Sequence, residues 1–308
     1  MSPLKKEKYL KIILCTMLVT ALVCFGAVFI VLKASSSVLV PKKDYDRFVK
    51  ISSRYGKLYD MQQFLREKAI TDTKNAKQLN ALYKALAIST EDPYTVYMTA
   101  SEAEAWEKKV NPEKSVESSM LDGNIGYIRL TGFAEDTAES FGTERRALEN
   151  QGAKALIIDL RGNQGGYTEQ GIKTADQLLP ECTITSIVDA NGKRRYYNSD
   201  GSETKLPYVV LVDRNTASAA EIVAAAVKEN HGGAVLGEKT YGKGVIQREK
   251  SYDDGSVLHY TAGEFFTPSG GKINGVGIMP DTECVSGDAE KFTAQDPVIA
   301  KAKEVLGL

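Results

Sequence analysis

Residues 215–247 read N-T-A-S-A-A-E-I-V-A-A-A-V-K-E-N-H-G-G-A-V-L-G-E-K-T-Y-G-K-G-V-I-Q and predict a loop, a helix and a short strand in succession. The alanine-rich segment that starts at Ser218 is typical of a helix, and the glycine pair after His231 predicts a turn. The apolar run Ala234–Gly237 predicts a strand, and a lysine flanked by glycines, Lys243, comes after it. The sequence therefore carries a serine and a lysine on separate elements of one α/β unit.

Apolar strand segments alternate with helical segments on both sides of this stretch. The predicted strands are 125–130, 155–160, 208–212, 245–252 and 257–266; the predicted helices are 135–150 and 168–179, and 183–189 with 194–197 form a hairpin. Short apolar strands without polar alternation are typical of a sheet that is covered on both faces. The sequence predicts an α/β fold with its functional residues at the carboxyl ends of strands.

Ser218 is a candidate nucleophile because the first turn of a helix offers N–H groups without internal partners, which stabilise a developing oxyanion. A serine hydroxyl also needs a base, yet the chain holds only two histidines, His231 and His259, and no G-x-S-x-G motif. A Ser-His-Asp triad is therefore disfavoured. Lys243 is the alternative base, provided that burial disfavours its charge and leaves the amine neutral.

Plainer interpretations of these residues stay open at this point. Ser218-Ala219-Ala220-Glu221 also fits an S-x-x-E capping box, which needs no chemistry. Gly237-x4-Gly242-Lys243 resembles a phosphate loop, but Gly244 stands where that loop needs Ser or Thr. Ser269-Gly270-Gly271-Lys272 fits the S-x-x-K pattern of penicillin-recognising enzymes, but it lies in a glycine-rich segment without K-T-G, which favours a loop.

Four motifs follow one another over about 130 residues: D-L-R-G-N-Q-G-G at 159–166, T-A-S-A-A-E-I at 216–222, G-E-K-T-Y-G-K-G-V-I-Q at 237–247 and F-T-P-S-G-G-K-I-N-G-V-G-I-M-P-D at 266–281. In this order they resemble the carboxyl-terminal processing (tail-specific) peptidases, which are serine proteases with a Ser-Lys dyad. The resemblance implies a Clp protease/crotonase-like catalytic core.

The resemblance also implies a role for each site residue. Ser218 is the nucleophile, Lys243 the general base, and Gln247 the residue that orients the lysine. The oxyanion donors map onto the backbone N–H of Ala219 and of one glycine in the pair Gly165-Gly166, which on its own is equally typical of a tight turn. No metal and no cofactor are implied.

The spacing between Lys243 and Gln247 limits how they can meet. Residues four apart on a strand face the same side, but their Cα atoms are ~13 Å apart in an ideal strand. Contact therefore requires a bend near Gly242 or Gly244, or a long reach by the lysine. Glu221 either supports Lys243 or only completes the helix cap, and the sequence does not decide between these roles.

The amino-terminal part predicts a membrane anchor. Residues 1–11 form a basic stub with four lysines, and 12–32 is an uncharged run of 21 residues. Such a run spans the roughly 30 Å of a bilayer core. Lysines before the run stay cytoplasmic, which puts the catalytic domain on the extracytoplasmic side of the cell membrane in a single-pass topology. A cleaved signal peptide is the competing interpretation, although the run exceeds the usual ~7 to 15 apolar residues.

The rest of the chain divides into a linker over 33–43, an N-terminal helical region over 44–110, a catalytic domain over 111–290 and a C-terminal helix over 291–308. The helical region shows apolar residues at spacings of three and four, with a break around Thr71-Asp72-Thr73, and its helices are candidates for pairing two copies into a homodimer. Cys182 and Cys284 are permitted to form a disulfide outside the cytoplasm. A net charge of -1 predicts no attraction to nucleic acid.

The expected partners are polypeptide substrates. In the family, a similar D-P-Y-x-x-Y-M-T segment precedes a PDZ module that receives substrate tails and gates the site. Here only about 30 residues separate Asp92 from the strand at Ile125, fewer than the ~50 of a small domain. The PDZ module is therefore predicted to be missing, and an adaptor is a candidate for its role. A non-catalytic scaffold of the same fold and a Ser-Lys amidase or esterase are the alternative functions.

Overall fold

The computed structural model describes residues 3–34, 40–69, 75–287, 292 and 295–307. The chain forms two compact units, Met1–Asn75 and Ala76–Leu308. The helices are α1 Pro3–Ala34, α2 Lys42–Lys68, α3 Asn75–Ile88, α4 Ala100–Val110, α5 Thr137–Asn150, α6 Thr168–Asp176, α7 Ala219–Glu229 and α8 Pro297–Val305. The strands are β1 Val96–Met98, β2 Val116–Leu121, β3 Ile125–Leu130, β4 Ala155–Asp159, β5 Thr183–Asp189, β6 Arg194–Asn198, β7 Tyr208–Val212, β8 Ala234–Gly237, β9 Val245–Ser251, β10 Val257–Phe266 and β11 Thr282–Glu283.

The first unit consists of the helices α1 and α2. Among the described residues, one helical segment, Lys6–Val31, is long and apolar enough to cross a membrane, with a mean hydropathy of 2.6. α1 begins at Pro3, so most of the predicted basic stub is part of the helix. α2 begins at Lys42, two residues before the predicted boundary, and presents exposed apolar side chains such as Phe48, Ile51, Tyr55 and Leu58. The predicted break at Thr71–Thr73 lies outside the described residues.

The second unit begins at Ala76, well before the predicted domain start at residue 111. α3, β1 and α4, which the sequence assigned to a separate helical region, belong to the same compact unit as the four motifs. That region also contains a strand that the helical prediction missed. β1 follows Pro93, whose ring disfavours helix at the residue before it, and it pairs with β10.

A six-stranded sheet forms the centre of this unit, in the order β11-β8-β7-β4-β3-β2. β2 is antiparallel to β3, and the other neighbours are parallel. β4 and β7 are buried along their whole length, as their apolar sequences predict. The predicted α/β fold is confirmed. α6 stops at Asp176 rather than residue 179, because the Gln177 carbonyl accepts a hydrogen bond from Thr204 instead of continuing the helix.

The two faces of the central sheet carry separate apolar cores. One core joins the sheet to α5, α6 and α7, and the other joins it to α8. Cys182 packs against the first core and Cys284 against the second, and both are free thiols. The disulfide that the compartment permits is therefore absent between these two described residues. α8 begins at Pro297 rather than at residue 291, because Asp296 caps it and proline suits its first position.

A second sheet holds the lysine side of the predicted site. Its strands run β1-β10-β5-β6, and β9 pairs with β10 as well. The predicted hairpin of β5 and β6 is present, with its turn at Asn191-Gly192. β9 and β10 are antiparallel, and Gln247 is opposite Thr261. Lys243 lies just before β9, so the loop between the two sheets carries it.

Candidate active site

Ser218 occupies the N-cap of α7, directly after the loop that leaves β7. Its backbone has φ 57° and ψ -120°, a region that side chains with a Cβ atom rarely adopt. Such a conformation costs of order 1–3 kcal/mol and persists only where the surroundings impose it. The residue is 7% exposed. The strained turn therefore presents the hydroxyl at the positive end of a buried helix.

Glu221 connects the serine loop to the lysine loop. Its Oε2 accepts hydrogen bonds from the backbone N–H of Ser218 at 2.9 Å and of Lys243 at 2.8 Å. Its Oε1 accepts from Gly242 N at 2.7 Å and from Thr240 Oγ1 at 2.6 Å. We call these five residues the Glu221 cluster. The capping box is present, and the same carboxylate also holds the second loop, so both interpretations of Glu221 apply.

The Glu221 side chain is fully buried, and none of its four donors is charged. Burial raises the pKa of Glu221, although hydrogen bonds from Thr240, Gly242, Ser218 and Lys243 oppose this effect. Breaking either loop away from the carboxylate would leave buried polar groups without partners. The cluster therefore favours a fixed arrangement of the two loops.

The glycine pair after β4 lies against Ser218. Gly165 has φ 95°, and a Cβ atom added there would come within 2.7 Å of the Ser218 Cβ atom and 3.1 Å of the Ala219 nitrogen. Gly166 has φ 140°, and a Cβ atom there would meet the Phe133 carbonyl at 2.2 Å. The close backbone approach predicted for this pair is therefore present, and it is directed at the serine loop for Gly165 and at Phe133 for Gly166.

Asn163 holds the glycine loop, and no separate sequence signal marks this residue. It is fully buried; its Nδ2 donates to the Leu130 carbonyl, and its Oδ1 accepts from Gly165 N at 2.8 Å. Its carbonyl accepts from Ala217 N at 2.9 Å, which joins the glycine loop to the serine loop. The one available sign was its position inside D-L-R-G-N-Q-G-G, between two predicted functional segments.

The backbone donors near Ser218 differ in their availability. The N–H of Gly165 is used by Asn163. Within residues 75–287, the N–H groups of Gly166 and Ala219 have no hydrogen-bond acceptor. Free N–H groups beside a nucleophile are suited to binding an oxyanion. Of the two predicted glycines, Gly166 therefore retains the available donor.

Lys243 is half-buried, and its Nζ donates to Gln247 Oε1 at 2.8 Å. Burial lowers the pKa of Lys243, while the Asp92 carboxylate raises it to a lesser extent. Within the described stretch 75–287, this amine is hydrogen-bonded to Gln247 and not to the Ser218 hydroxyl. The predicted contact between Lys243 and Gln247 is present, whereas the dyad hydrogen bond is not formed in this arrangement.

The lysine reaches Gln247 because the chain bends before β9. Gly242 has φ 89° and packs against Val276 and Gly277, where an added Cβ atom would come within 2.9 Å of the Gly277 nitrogen. Gly244 lies so close to Asn274 that a Cβ atom would be 2.2 Å from its backbone nitrogen. These contacts with the G-V-G segment of the fourth motif provide the bend that an ideal strand lacks.

Tyr94 is the other residue that sequence reasoning did not assign to the site. Its carbonyl accepts a hydrogen bond from Gln247 Nε2, and the Lys243 Nζ lies 5.0 Å from the centre of its ring. The residue belongs to the D-P-Y segment between α3 and β1. The only early sign was the occurrence of D-P-Y-x-x-Y-M-T in the resembling family.

The alternative motifs lie elsewhere. Ser269 is in a turn that is closed by Thr267, and Lys272 is near Glu264 at 3.6 Å. His259 contacts Glu249 and stacks edge-on against Trp106. Among the described residues, no three His, Cys, Asp or Glu side chains are close enough together to hold a metal ion.

A second buried carboxylate group lies at the end of β4. Arg161 contacts Asp159 and donates to Asp296 at 2.7 Å, and Tyr127 donates to Asp159 at 2.7 Å. Ser286 also donates to Asp296. We call these five residues the Arg161 cluster. It joins the D-L-R-G motif to the cap of α8, a contact that the sequence pattern did not predict.

A model of peptidase family S41 matches residues 124–284. The carboxy-terminal processing protease CtpA of Bacillus subtilis is 39% identical over 188 residues, which is 60% of this chain and 40% of that protein. A carboxyl-terminal-processing protease of Synechocystis is 34% identical over 224 residues, 72% of this chain and 51% of that protein. The chain thus matches only about half of these relatives' length or less.

Solved structures show the same fold. The photosystem II D1 C-terminal processing protease has a TM-score of 0.52 at 31% identity, covering 63% of this chain and 53% of its own. A lipoprotein from Streptococcus agalactiae has a TM-score of 0.61 at 17% identity and covers 87% of this chain and 99% of its own. At that identity the second likeness concerns the fold alone.

Proposed function

The chain belongs to peptidase family S41, and on this premise we propose that it is a membrane-anchored serine endopeptidase that cleaves polypeptides near their carboxyl ends. Ser218 is the nucleophile and Lys243 the general base. The observation that supports this most is the Glu221 carboxylate, whose one oxygen accepts from the backbone of both residues. A buried carboxylate that holds the Ser218 loop and the Lys243 loop together is expected if these two residues act in one reaction.

The proposed reaction begins with the neutral amine of Lys243. Burial lowers the pKa of this amine, which favours the uncharged form that can accept a proton. The amine turns from Gln247 to the Ser218 hydroxyl and takes its proton as Oγ bonds to the substrate carbonyl carbon. The N–H groups of Ala219 and Gly166 hold the oxygen that becomes negative.

Collapse of this intermediate breaks the peptide bond and leaves an acyl-Ser218 ester. Lys243 passes its proton to the leaving amine, which departs as the new amino terminus. Water then attacks the ester, Lys243 accepts a proton from that water, and the serine oxygen leaves and is reprotonated. Gln247 holds the amine between these steps.

The anchor is the proposed role of α1. The segment Lys6–Val31 has the length and hydropathy of a membrane span, and the lysines before it favour a cytoplasmic amino terminus. The catalytic unit then lies outside the membrane. The described residues between Asp92 and Ile125 contain only α4 and β2 besides β1, which supports substrate delivery by an adaptor rather than by a PDZ module at this point.

The test uses the full chain in detergent micelles with an unstructured polypeptide that has an apolar carboxyl tail. Mass spectrometry should detect fragments cut near that tail, and Ser218→Ala and Lys243→Ala should each produce none. Ser269→Ala and Lys272→Ala are matched controls, since this second serine-lysine pair lies in a turn elsewhere. Equal cleavage by the Ser218→Ala form would refute the mechanism.

A serine-reactive fluorophosphonate separates the alternatives. Labelling of Ser218 together with hydrolysis of small esters, but no cut in any polypeptide, would indicate an amidase or esterase. Absence of both labelling and cleavage would indicate a binding protein of this fold.

A further inference from the structure

The turn formed by Asp92, Pro93 and Tyr94 is in direct contact with the lysine side of the site. Tyr94 contributes its carbonyl to Gln247 and its ring to Lys243. The Asp92 carboxylate accepts a hydrogen bond from the Tyr94 N–H at 3.0 Å, so it lies beside this contact, and it opposes the lowering of the Lys243 pKa by burial. All three residues lie outside 124–284, the part that the family model matches. The contacts therefore add to the site something that the matched core does not itself contain.

The turn is held in a defined shape. Asp92 Oδ1 accepts from the Tyr94 N–H at 3.0 Å, and its Oδ2 accepts from Thr95 Oγ1 at 2.6 Å. The Asp92 carbonyl accepts from Thr95 N at 3.1 Å. Such an Asx turn, with a proline after the aspartate, restricts the backbone of each residue. The Tyr94 carbonyl is thereby aimed at β9, where Gln247 lies.

A carboxamide has a donor end and an acceptor end, and its neighbours decide which end points where. The Tyr94 carbonyl can only accept, so it selects the Nε2 of Gln247. The Oε1 atom is then directed at the Lys243 amine, to which it is hydrogen-bonded at 2.8 Å. If the amide were reversed, two donors would face each other at the lysine. The turn thus determines that Gln247 presents its oxygen, and not its NH₂ group, to the Lys243 amine.

Asp92 and Tyr94 on the turn are the titratable groups nearest the Lys243 amine, while Glu221 on α7 accepts from the Lys243 backbone N–H and Tyr241 acts on Tyr94. Burial lowers the pKa of Lys243, and Asp92 opposes that change. Although partial burial acts against it, hydrogen bonds from Thr95 Oγ1 and the Tyr94 N–H lower the pKa of Asp92, so this carboxylate stays charged. Burial and the adjacent Tyr241 raise the pKa of Tyr94, which stays neutral.

We propose that Tyr94 is a positioning residue for the Lys243–Gln247 pair and that Asp92 tunes the charge of the base. This proposal rests on the proposed function of Lys243. The ring of Tyr94 keeps water from one side of the Lys243 amine, and its carbonyl orients the amide of Gln247. Asp92 sets the pH above which the Lys243 amine is uncharged. The working range of the enzyme then depends on a segment that precedes the matched catalytic region.

The experiment measures kcat/KM against pH for the full chain in micelles, with the polypeptide above as substrate. Asp92→Asn keeps the size of the side chain and removes its charge, so the acidic limb of the profile should move to lower pH. At a fixed pH on that limb, cleavage should be about two- to five-fold faster. Glu91→Gln is the matched control, because the neighbouring exposed acid makes no described contact with the site, and it should leave the limb unchanged.

Tyr94→Ala opens the amine to water, which favours its charged form, so the limb should move to higher pH and cleavage there should fall several-fold. Tyr94→Phe keeps the ring and the carbonyl and should restore the original limb. A limb that is identical in the Asp92→Asn and unaltered proteins would overturn the proposal for Asp92. A Tyr94→Phe profile equal to that of Tyr94→Ala would overturn the role of the ring.

A second readout does not need peptidase activity. The pH dependence of Lys243 modification by an amine-reactive reagent, followed by mass spectrometry, reports the protonation of the amine directly. In Asp92→Asn this modification should begin at lower pH even if no polypeptide is cut, and an unchanged midpoint would contradict the proposal. If Tyr94→Ala fails to fold in a thermal unfolding assay, the Asp92→Asn result alone decides whether the turn tunes the base.

Discussion

The Glu221 cluster and the Arg161 cluster are both buried carboxylate groups at the carboxyl side of the central sheet, but their partners differ in charge. Glu221 accepts only neutral donors, and burial raises its pKa. Asp296 faces the Arg161 guanidinium, and its pKa is lowered, because hydrogen bonds from Ser286, Phe292 and Arg161 outweigh the effect of burial. Two carboxylates that are both inaccessible to solvent therefore have pKa shifts of opposite sign, because one has a cation as partner and the other has only neutral donors.

The contrast separates two purposes. The Arg161 cluster balances its own charges and joins β4 to the cap of α8, as a structural contact does. The Glu221 cluster brings an acid without a cation next to the strained Ser218 and the loop of Lys243. Placing such a group there costs stability. The position of this buried acid beside candidate catalytic residues is what a functional arrangement predicts.

The largest effect is expected from Arg161→Ala. Removal of the guanidinium leaves Asp159 and Asp296 buried without their cation, which should lower the free energy of unfolding by about 3 to 5 kcal/mol. Urea unfolding of the full chain, followed by tyrosine fluorescence, measures the change. The control Arg214→Ala removes an ion pair with Glu238 from an arginine that is 72% exposed, and it should cost at most about 1 kcal/mol. Equal costs would remove the distinction between the clusters.

The next effect concerns the glycine loop that the Glu221 cluster faces. Gly165→Ala would press a methyl group against Ser218, so kcat/KM should fall by at least about 100-fold. Gly162→Ala is a close control, since this glycine also has a positive φ but has nothing within 4 Å of the added carbon. It should cost only about 1 kcal/mol of stability and spare activity. Full activity of Gly165→Ala would show that the loop does not need its contact with the serine.

Glu221→Gln should have a smaller effect on stability and a clear one on activity. The Gln amide keeps one oxygen as an acceptor, but its NH₂ group faces N–H or O–H donors of Thr240, Gly242, Ser218 or Lys243. This clash of donors should lower the free energy of unfolding by about 1 to 3 kcal/mol. Cleavage should fall because one oxygen cannot accept all four hydrogen bonds that hold the two loops. Glu139→Gln, an exposed change on α5, should alter neither quantity. Unchanged unfolding of Glu221→Gln would mean that the four hydrogen bonds contribute little.

The smallest effect is the dependence of stability on pH, which should have opposite signs for the two clusters. The raised pKa of Glu221 means that its stabilising contribution is full below 4.5, the ordinary value, and is lost as the pH rises through the folded value. The lowered pKa of Asp296 means that its contribution is full above 3.8 and is lost as the pH falls through the folded value. The urea midpoint of unfolding should be measured at a series of pH values. Glu221→Gln should remove the loss of stability as the pH rises, and Asp296→Asn should remove the loss as the pH falls. Slopes of the same sign would contradict the comparison.

Individual elements show how far the sequence alone reaches. β4 and β7 are predictable because a continuous apolar run with turn residues at its ends has few alternatives to a buried strand. β1 was missed because it has only three residues, which is too short for a strand pattern next to strong helical periodicity. The boundary at residue 111 stays a prediction. α3, β1 and α4 lie in one compact unit with the strands that follow them, through contacts distant in sequence such as the pairing of β1 with β10.

The candidate site shows the same limit. Ser218, Lys243 and Gln247 carry motif signals, and the contact between the last two is present as predicted. Asn163 and Tyr94 lie inside family motifs but carry no signal of their own, because an asparagine in a glycine-rich loop and a tyrosine after a proline are ordinary surface residues by pattern. Their contacts are made with residues far away in the sequence: the Asn163 side-chain amide donates to the Leu130 carbonyl, and the Tyr94 carbonyl accepts from Gln247.

The sequence by itself determined the apolar strands, the helix that begins after Ser218, the apolar amino-terminal segment and the motifs that belong to the family, because these are local patterns of hydrophobicity and residue type. Only the tertiary structure decided that Glu221 joins the two loops, that Gly166 rather than Gly165 keeps a free N–H among the described residues, and that the Tyr94 carbonyl accepts from Gln247. The physical reason is that a hydrogen bond is directional and short. Which donor meets which acceptor depends on positions that only the packed chain defines.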